Sequence, residues 1–235
     1  MNKKLPLIKI CLLFSIFTSL LHLQSFCQTV QITGNQSNSA LIVVGNNSYH
    51  ASEHIYTEAE IGAGTFTSAA SAINHIDFNV FAVGAPTSIN NFRLYLKDVP
   101  VATINFITGA YSTSGYTLVY DGPINPTATG WAGVDLTTSF TRAAGNNLQL
   151  LIERADGVTH TGYAFYSARG NSTDLNIQSC RRYNNTAALL PGTTTLTASN
   201  FRAQIQLRHI SANDAAITAV YTLGKLPIPY TVPHT

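Results

Sequence analysis

The sequence predicts an all-β chain, an antiparallel sandwich or barrel, and three observations carry that prediction. Composition is the first: Thr, Ser, Asn, Gly, Tyr, Val and Ile predominate, while charged residues make up only 10% of the 235 residues. Period-two alternation is the second, with Ile76, Phe78 and Val80 in one segment, Phe92, Leu94 and Leu96 in the next, and Leu118 and Tyr120 in a third. A period of two gives each strand one buried face. The third is punctuation, since turn signals recur at Asn46-Asn47, Asp121-Gly122-Pro123, Gly145-Asn146-Asn147, Asp156-Gly157 and Pro191-Gly192. Gly, Asn and Asp tolerate positive φ there, and Pro presets the bend.

The chain opens with Met1-Asn2-Lys3-Lys4, an apolar run from Ile10 to Leu21, and Ser25-Phe26-Cys27-Gln28. A basic start, a short apolar stretch and small residues before a break form a secretory signal peptide over residues 1–27, with Gln28 as the mature N-terminus. The run is too short to span a bilayer, which takes roughly 20 apolar residues, and no later segment reaches that length, so no transmembrane segment is expected in the mature chain. Cys27 also stands where a lipoprotein cysteine would, but Phe26 and Gln24 occupy positions where that motif takes a small residue and leucine.

Residues 28–212 then form one β-sandwich domain, large enough to bury a core. Lys3, Lys4 and Lys9 leave with the leader, so the remainder is close to neutral and offers no basic patch for nucleic acid. Cys11 and Cys27 go too, leaving Cys180 without a disulfide partner; packing has to hold the fold. Leu148-Gln149-Leu150-Leu151-Ile152 is more continuously apolar and reads as a central strand, and Tyr163 to Tyr166 as another. Phe201 to Ile210 reads as one strand, with Phe201, Ala203, Ile205 and Leu207 inward and Arg202, Gln204, Gln206 and Arg208 outward. No amphipathic helix of three turns is visible. After Asn213-Asp214 comes a strand pattern over Ile217 to Tyr221 and a proline-stiffened end, Leu226-Pro227-Ile228-Pro229-Tyr230, which suits an edge or linker. Residues 213–235 are therefore expected to be a linker and the first strand of a second domain.

The catalytic patterns are thin. His50-Ala51-Ser52-Glu53-His54 fits H-x-x-E-H, but that zinc chemistry needs both imidazoles on one helical face, and the string has no helical apolar stripe; a solvated loop is the simpler expectation. No G-x-S-x-G occurs, and His160 has no nucleophile paired with it. Cys180 lies beside Arg181-Arg182, whose charge would favour thiolate, but with no partner histidine in evidence a structural or idle thiol is the expected reading. Glu58 and Glu60 are close in sequence, which alone makes no glycosidase. No Asp-x-Asp calcium loop appears, and neither metal nor other cofactor is expected.

Aromatics remain. Trp131, the single tryptophan, is either a sugar-stacking platform or a core residue, and core is expected, together with Phe78, Leu94, Leu150 and Ile205. Tyr111 and Tyr116 flank Ser112 to Gly115, and a Tyr/Ser/Gly loop makes adaptable contacts at low entropic cost, so these two are the better candidates for an exposed binding surface, although a loop tyrosine packed beneath its own turn is the commoner outcome.

The order Ile55-Tyr56-Thr57-Glu58-Ala59-Glu60-Ile61-Gly62, then Asn91 to Tyr95, Val119 to Gly122, Gly130-Trp131, Leu136 to Phe140 and Asn147 to Glu153 resembles a β-sandwich domain common in large secreted surface proteins of Bacteroidetes. The resemblance covers residues 50–210, and 213–235 resembles the start of a CARDB-type immunoglobulin-like module. It implies a jelly-roll-like sandwich, export by the type IX route, and a secreted or outer-surface location within a longer polypeptide. No type IX C-terminal sorting domain is present, which departs from that pattern. The expected function is a non-enzymatic module for adhesion, spacing or partner binding. The alternative is a carbohydrate-binding accessory module of a secreted hydrolase or peptidase. Its partners would be a surface glycan or another extracellular protein.

Overall fold

A computed structural model of the chain describes residues 28–33, 47–62, 72–106, 109–169, 179–199 and 201–210. The leader 1–27 and the segment 213–235, including the expected Ile217–Tyr221 strand, lie outside the described residues. In chain order the strands are β1 (Gln28–Ile32), β2 (Tyr49–Tyr56), β3 (Ala72–Ala82), β4 (Ile89–Pro100), β5 (Thr117–Ile124), β6 (Gly130–Thr141), β7 (Asn146–Arg154), β8 (Ala164–Phe165), β9 (Ser167–Arg169), β10 (Ser179–Asn184), β11 (Thr197–Ser199), β12 (Phe201–Ala203) and β13 (Ile205–Ile210), with one short helix, α1 (Glu58–Gly62), after β2.

The strands form an antiparallel β-sandwich. One sheet has the order β1-β13-β3-β6, with β8 also pairing β3; the other has the order β11-β10-β2-β7-β4-β5; β12 and β9 make a small ribbon. Alternation drives the packing: Ile76, Phe78, Val80, Ile205 and Leu207 from the first sheet meet Tyr56, Phe92, Leu94, Leu96, Leu148, Leu150 and Ile152 from the second in one core. Phe78 and Phe92 touch across the two sheets edge to face, with ring centroids 6.0 Å apart. Strand β7 is interior, between β2 and β4. Its unbroken apolar run follows from burial on both faces: Leu148, Leu150 and Ile152 face the main core, and Leu151 faces a second cluster with Ala51, Tyr111, Cys180 and Leu196. That second cluster lies under the segments 101–106, 109–116 and 185–196, of which the last two are stitched together by Tyr111 N–H to Thr194 O at 3.1 Å and Gly192 N–H to Tyr111 O at 2.8 Å.

Four sequence expectations change. Asp121-Gly122-Pro123 is not a turn but lies inside β5. The strand is at the sheet edge, where proline's missing donor leaves no ladder bond unmade. Phe201 to Ile210 is two strands, because the chain switches partner at Gln204, from β9 to β1 and β3. Arg202, expected in solvent, is 5% exposed. Its guanidinium donates to Ile55 O at 2.8 Å, pairs with Glu60, and lies over the Tyr56 ring at 5.1 Å. Trp131, expected in the core, is only half-buried, and it stands opposite Asn79 in the β3–β6 register. Phe78, Val80, Ala132 and Val134 occupy the alternate positions and point at the core, so Trp131 is on the outer face.

Thr57 caps α1. Its backbone N–H donates to Glu60 Oε2 at 2.9 Å, while Glu60 N–H reaches the Thr57 hydroxyl at 3.3 Å. The reciprocal pair is a capping box, legible as Thr57-Glu58-Ala59-Glu60.

These placements separate two apolar truncations. Leu150→Ala, at a fully buried site in the interior strand, is expected to cost about 2–5 kcal/mol of stability. Trp131→Ala, facing outward from edge strand β6, should cost distinctly less in denaturant unfolding; equal losses would show that the indole belongs to the core.

Candidate functional site

The outer face of the five-stranded sheet is where exposed aromatic and polar side chains come together. Cross-strand register arranges them in rows. Arg208, His75 and Asp135 form one row; Gln206, Asp77 and Gly133 the next; Asn79 and Trp131 a third. Beyond it Phe81, 40% exposed, meets Tyr166 edge to face with centroids 5.1 Å apart, and Tyr166 N–H donates to Asn79 O at 2.7 Å. Gly133 stands between Trp131 and Asp135 where the β3 backbone comes close. A Cβ there would lie 1.9 Å from Ile76 O and 2.5 Å from the Asp77 Cα, so the close approach of the two strands requires glycine.

The polar groups are fixed before any ligand arrives. Asn79 Nδ2 donates to Gln204 Oε1 at 3.0 Å, and Gln204 Nε2 donates to Ser167 O at 3.1 Å. Asp77, 3% exposed, accepts from His75 Nε2 at 2.8 Å and from Arg208 Nη2 at 2.8 Å, while His75 Nδ1 meets Asp135 Oδ1 at 2.6 Å. Both nitrogens of His75 thus face carboxylates, and only an imidazolium donates from both. The hydrogen bond to Asp77 raises the His75 pKa above the ordinary imidazole value; burial opposes this, and Asp135 adds to it. Burial pushes the Asp77 carboxyl up, but His75 and Arg208 outweigh it and hold the group below the usual aspartate range.

Of the two outcomes open to the loop tyrosines, both take the packed one. Tyr111 is 3% exposed, and its hydroxyl donates to Glu153 Oε1 at 2.8 Å. Tyr116 is half-buried; its hydroxyl donates to Glu53 Oε1 at 2.9 Å, and Lys97 Nζ lies 5.3 Å from its ring centroid. Tyr95 adds a bond to Glu153 Oε2 at 2.9 Å. A loop crossing the outer face of the six-stranded sheet brings its tyrosines down onto carboxylates that would otherwise be buried bare, and the hydroxyls are consumed there. Cys180 belongs to the same layer, with Sγ 3.5 Å from Glu53 Oε2. Burial pushes its thiol upward and the Glu53 charge adds to that, so the neighbouring arginines produce no thiolate.

The His50–His54 string is a buried strand, not a loop. It lies in β2, where His50, Ser52 and His54 face inward and Ala51 and Glu53 face the loop-covered side. Glu53 is therefore on the opposite face from both imidazoles and cannot serve a metal they held. Burial first, then Arg202 and Arg181, lowers the His54 pKa to about 3. Among the described residues no group of three or more His, Cys, Asp or Glu is arranged to hold a metal ion. His160 is buried, bonded to Asp156 and to Pro86 O. Glu58 and Glu60 serve α1 and pair with Arg142 and Arg202.

Two measurements follow from this geometry. Because the folded state raises the His75 pKa, its contribution is complete below the unfolded value of about 6.5 and fades as pH rises through the folded pKa. His75→Gln should lower the melting temperature by a few degrees near pH 6, with the gap to the parent shrinking toward alkaline pH; a pH-independent gap would remove the imidazolium from the network. Cys180 should resist a thiol reagent in the native protein and react on unfolding. Rapid stoichiometric labelling of folded protein would mean the covering loops stand open.

No protein-family model matches the chain, and no curated protein matches it. Among solved structures, the cysteine protease and lectin-like domains of Cwp84, a surface layer associated protein of Clostridium difficile, are similar over 70% of this chain and 33% of that chain, with a TM-score of 0.41 and 12% sequence identity. The chain thus spans about a third of that structure's length, and no residue role is carried over from it. Among the described residues no helix is long and apolar enough to cross a membrane.

Proposed function

We propose that this chain is a non-enzymatic, glycan-binding accessory module of a secreted or surface-located protein, and that its ligand lies on the outer face of the five-stranded sheet. The observation that carries this reading is Trp131, in register with Asn79 on that outer face, with the Phe81–Tyr166 pair beyond. A saccharide has apolar C–H faces and a rim of hydroxyls. An indole offers the first a stacking plane, and the half-exposed Asn79 amide and the exposed Asp135 carboxylate beside it offer the second polar partners. On the other sheet, Glu53 and Glu153 are committed to tyrosine hydroxyls beneath the loops, which supports binding rather than hydrolysis.

The wider reading comes from the sequence. The leader and the resemblance of residues 50–210 to Bacteroidetes surface modules support a secreted or outer-surface address, a jelly-roll-like wiring of the sandwich, and a following immunoglobulin-like module beginning in 213–235. Adhesion through a protein partner is the second reading, favoured by Phe81, whose exposed ring would also suit a protein contact.

The test is affinity electrophoresis of the purified protein in gels containing neutral polysaccharides. At least one should retard the parent, and Trp131→Ala should abolish the retardation, about tenfold or more in apparent Kd, while remaining folded by circular dichroism. Unchanged retardation of the variant, or free migration of the parent in every gel, would overturn the reading.

A further inference from the structure

A polar surface with no assigned role is a cleft of about 410 Å³ at the opposite edge of the sandwich, lined by Arg181, Arg182, Tyr183, Thr197 and Ala198. Its origin is topological. Strand β11 is short and ends its pairing with β10 at Thr197 opposite Arg181, so Arg182, Tyr183 and Asn184 continue without a neighbour on that side. Asn184 O accepts from Ser48 N–H on the side of β2. By the alternation of an antiparallel ladder, the backbone N–H and C=O of Tyr183 then face the open edge.

Charge sets this cleft apart. Arg93 pairs with Asp121, Arg142 with Glu58, Arg154 with Asp156, Arg202 with Glu60 and Arg208 with Asp77. Arg181 and Arg182 alone among the arginines with described side chains have no carboxylate partner, and both line the same cleft. None of the lining residues is acidic. Glu53, next to Cys180 across the β2–β10 ladder, faces the loop-covered side and is bonded to Tyr116 and Cys180. The rest of the lining offers the Tyr183 ring, 47% exposed, and two hydroxyls, of Tyr183 and Thr197. By the alternation of β10, Arg181 and Tyr183 share one face of the strand and Arg182 takes the other, its charge at the rim. One guanidinium fork, the hydroxyls and an aromatic plane suit a sugar that carries an oxyanion: the Arg181 fork takes the carboxylate or sulfate, and the tyrosine takes the ring. A volume of about 410 Å³ is of the size that holds small ligands.

We propose that the Arg181–Arg182–Tyr183 cleft is a second glycan subsite, selective for a saccharide unit bearing a carboxylate or sulfate group. The proposal deepens the glycan-binding reading and rests on it.

The full chain is run in affinity gels containing polygalacturonate, dextran sulfate, or a neutral β-glucan, and Kd is measured by titration with the same polymers. Retardation is expected with polygalacturonate or dextran sulfate, and the polymer that works tells carboxylate from sulfate. The double variant Arg181→Gln/Arg182→Gln should weaken that binding about tenfold or more, Tyr183→Ala should weaken it less, and Arg93→Gln, which removes a charge elsewhere, should leave it unchanged. Binding of the neutral glucan should survive the double variant and fail in Trp131→Ala. If the double variant binds the acidic polymers as the parent does, if Arg93→Gln weakens them equally, or if only the neutral glucan is bound, the cleft assignment is wrong and the Trp131 reading stands. If no polymer is bound, both fall.

Discussion

The buried guanidinium of Arg202 fixes where the chain leaves the β9–β12 ribbon for the five-stranded sheet. It stands on β12, immediately before the partner switch at Gln204, donates to Ile55 O in the six-stranded sheet, pairs with Glu60 of α1 and covers the Tyr56 ring. Tyr56 in turn donates its hydroxyl to Ala203 O at 2.8 Å, so the two strands are joined from both sides. An unpaired charge at 5% exposure would be prohibitive, and a buried pair is strongly destabilising to break from one side. The capping box at Thr57 and Glu60 thus has a second use: the helix turn that orders Glu60 also presents it to Arg202. Burial pushes the Glu60 carboxyl up, but Arg202 and Thr57 outweigh that and hold it below the usual glutamate range.

The same economy runs through the molecule. A chain with 11 acidic residues places several of them inside, each where an arginine, histidine or tyrosine meets it. Arg154, wholly buried at the end of β7, pairs with Asp156 and donates to Val158 O at 2.8 Å; Asp156 also holds His160, so one carboxylate organises the following loop. With no disulfide among the described residues, these paired polar knots supply the directional restraint that apolar packing lacks. Against that background the free guanidinium groups of Arg181 and Arg182 gain meaning, because elsewhere the described arginines are paired.

Sheet coverage determines which surfaces are available. Both inner faces are consumed by the main core, and the middle of the outer face of the six-stranded sheet is roofed by the 101–106, 109–116 and 185–196 segments. That leaves the outer face of the five-stranded sheet and the edge beyond β11. The aromatic and amide groups are on the first and the unpaired cations on the second, so the two binding proposals occupy separate parts of one sandwich and can be tested separately.

Alternation and turn chemistry, both local, were enough to read the antiparallel sandwich and the inward positions of Phe78, Leu94, Leu150 and Ile205 from the sequence. They also held the answer for Trp131: in Trp131-Ala132-Gly133-Val134-Asp135-Leu136 the indole shares its phase with Asp135, opposite Val134 and Leu136, and weighing its size above its phase misplaced it. The capping box before α1 was equally legible and passed over. Tyr111 and Tyr116 were not, because whether a loop tyrosine faces water depends on which sheet face the loop crosses and on Glu53 and Glu153 awaiting donors there, from strands 42 and 63 residues away in sequence. Arg202 was hidden for the same reason, since its phase is that of a solvent-facing residue and only the partner switch at Gln204 brings Glu60 and Ile55 to it. The sequence by itself determined the strands, their buried faces and the scarcity of charge. Tertiary structure decided which polar groups are spent inside and which remain for a ligand, because pairing energies between distant residues exist only once the sheets have set their register.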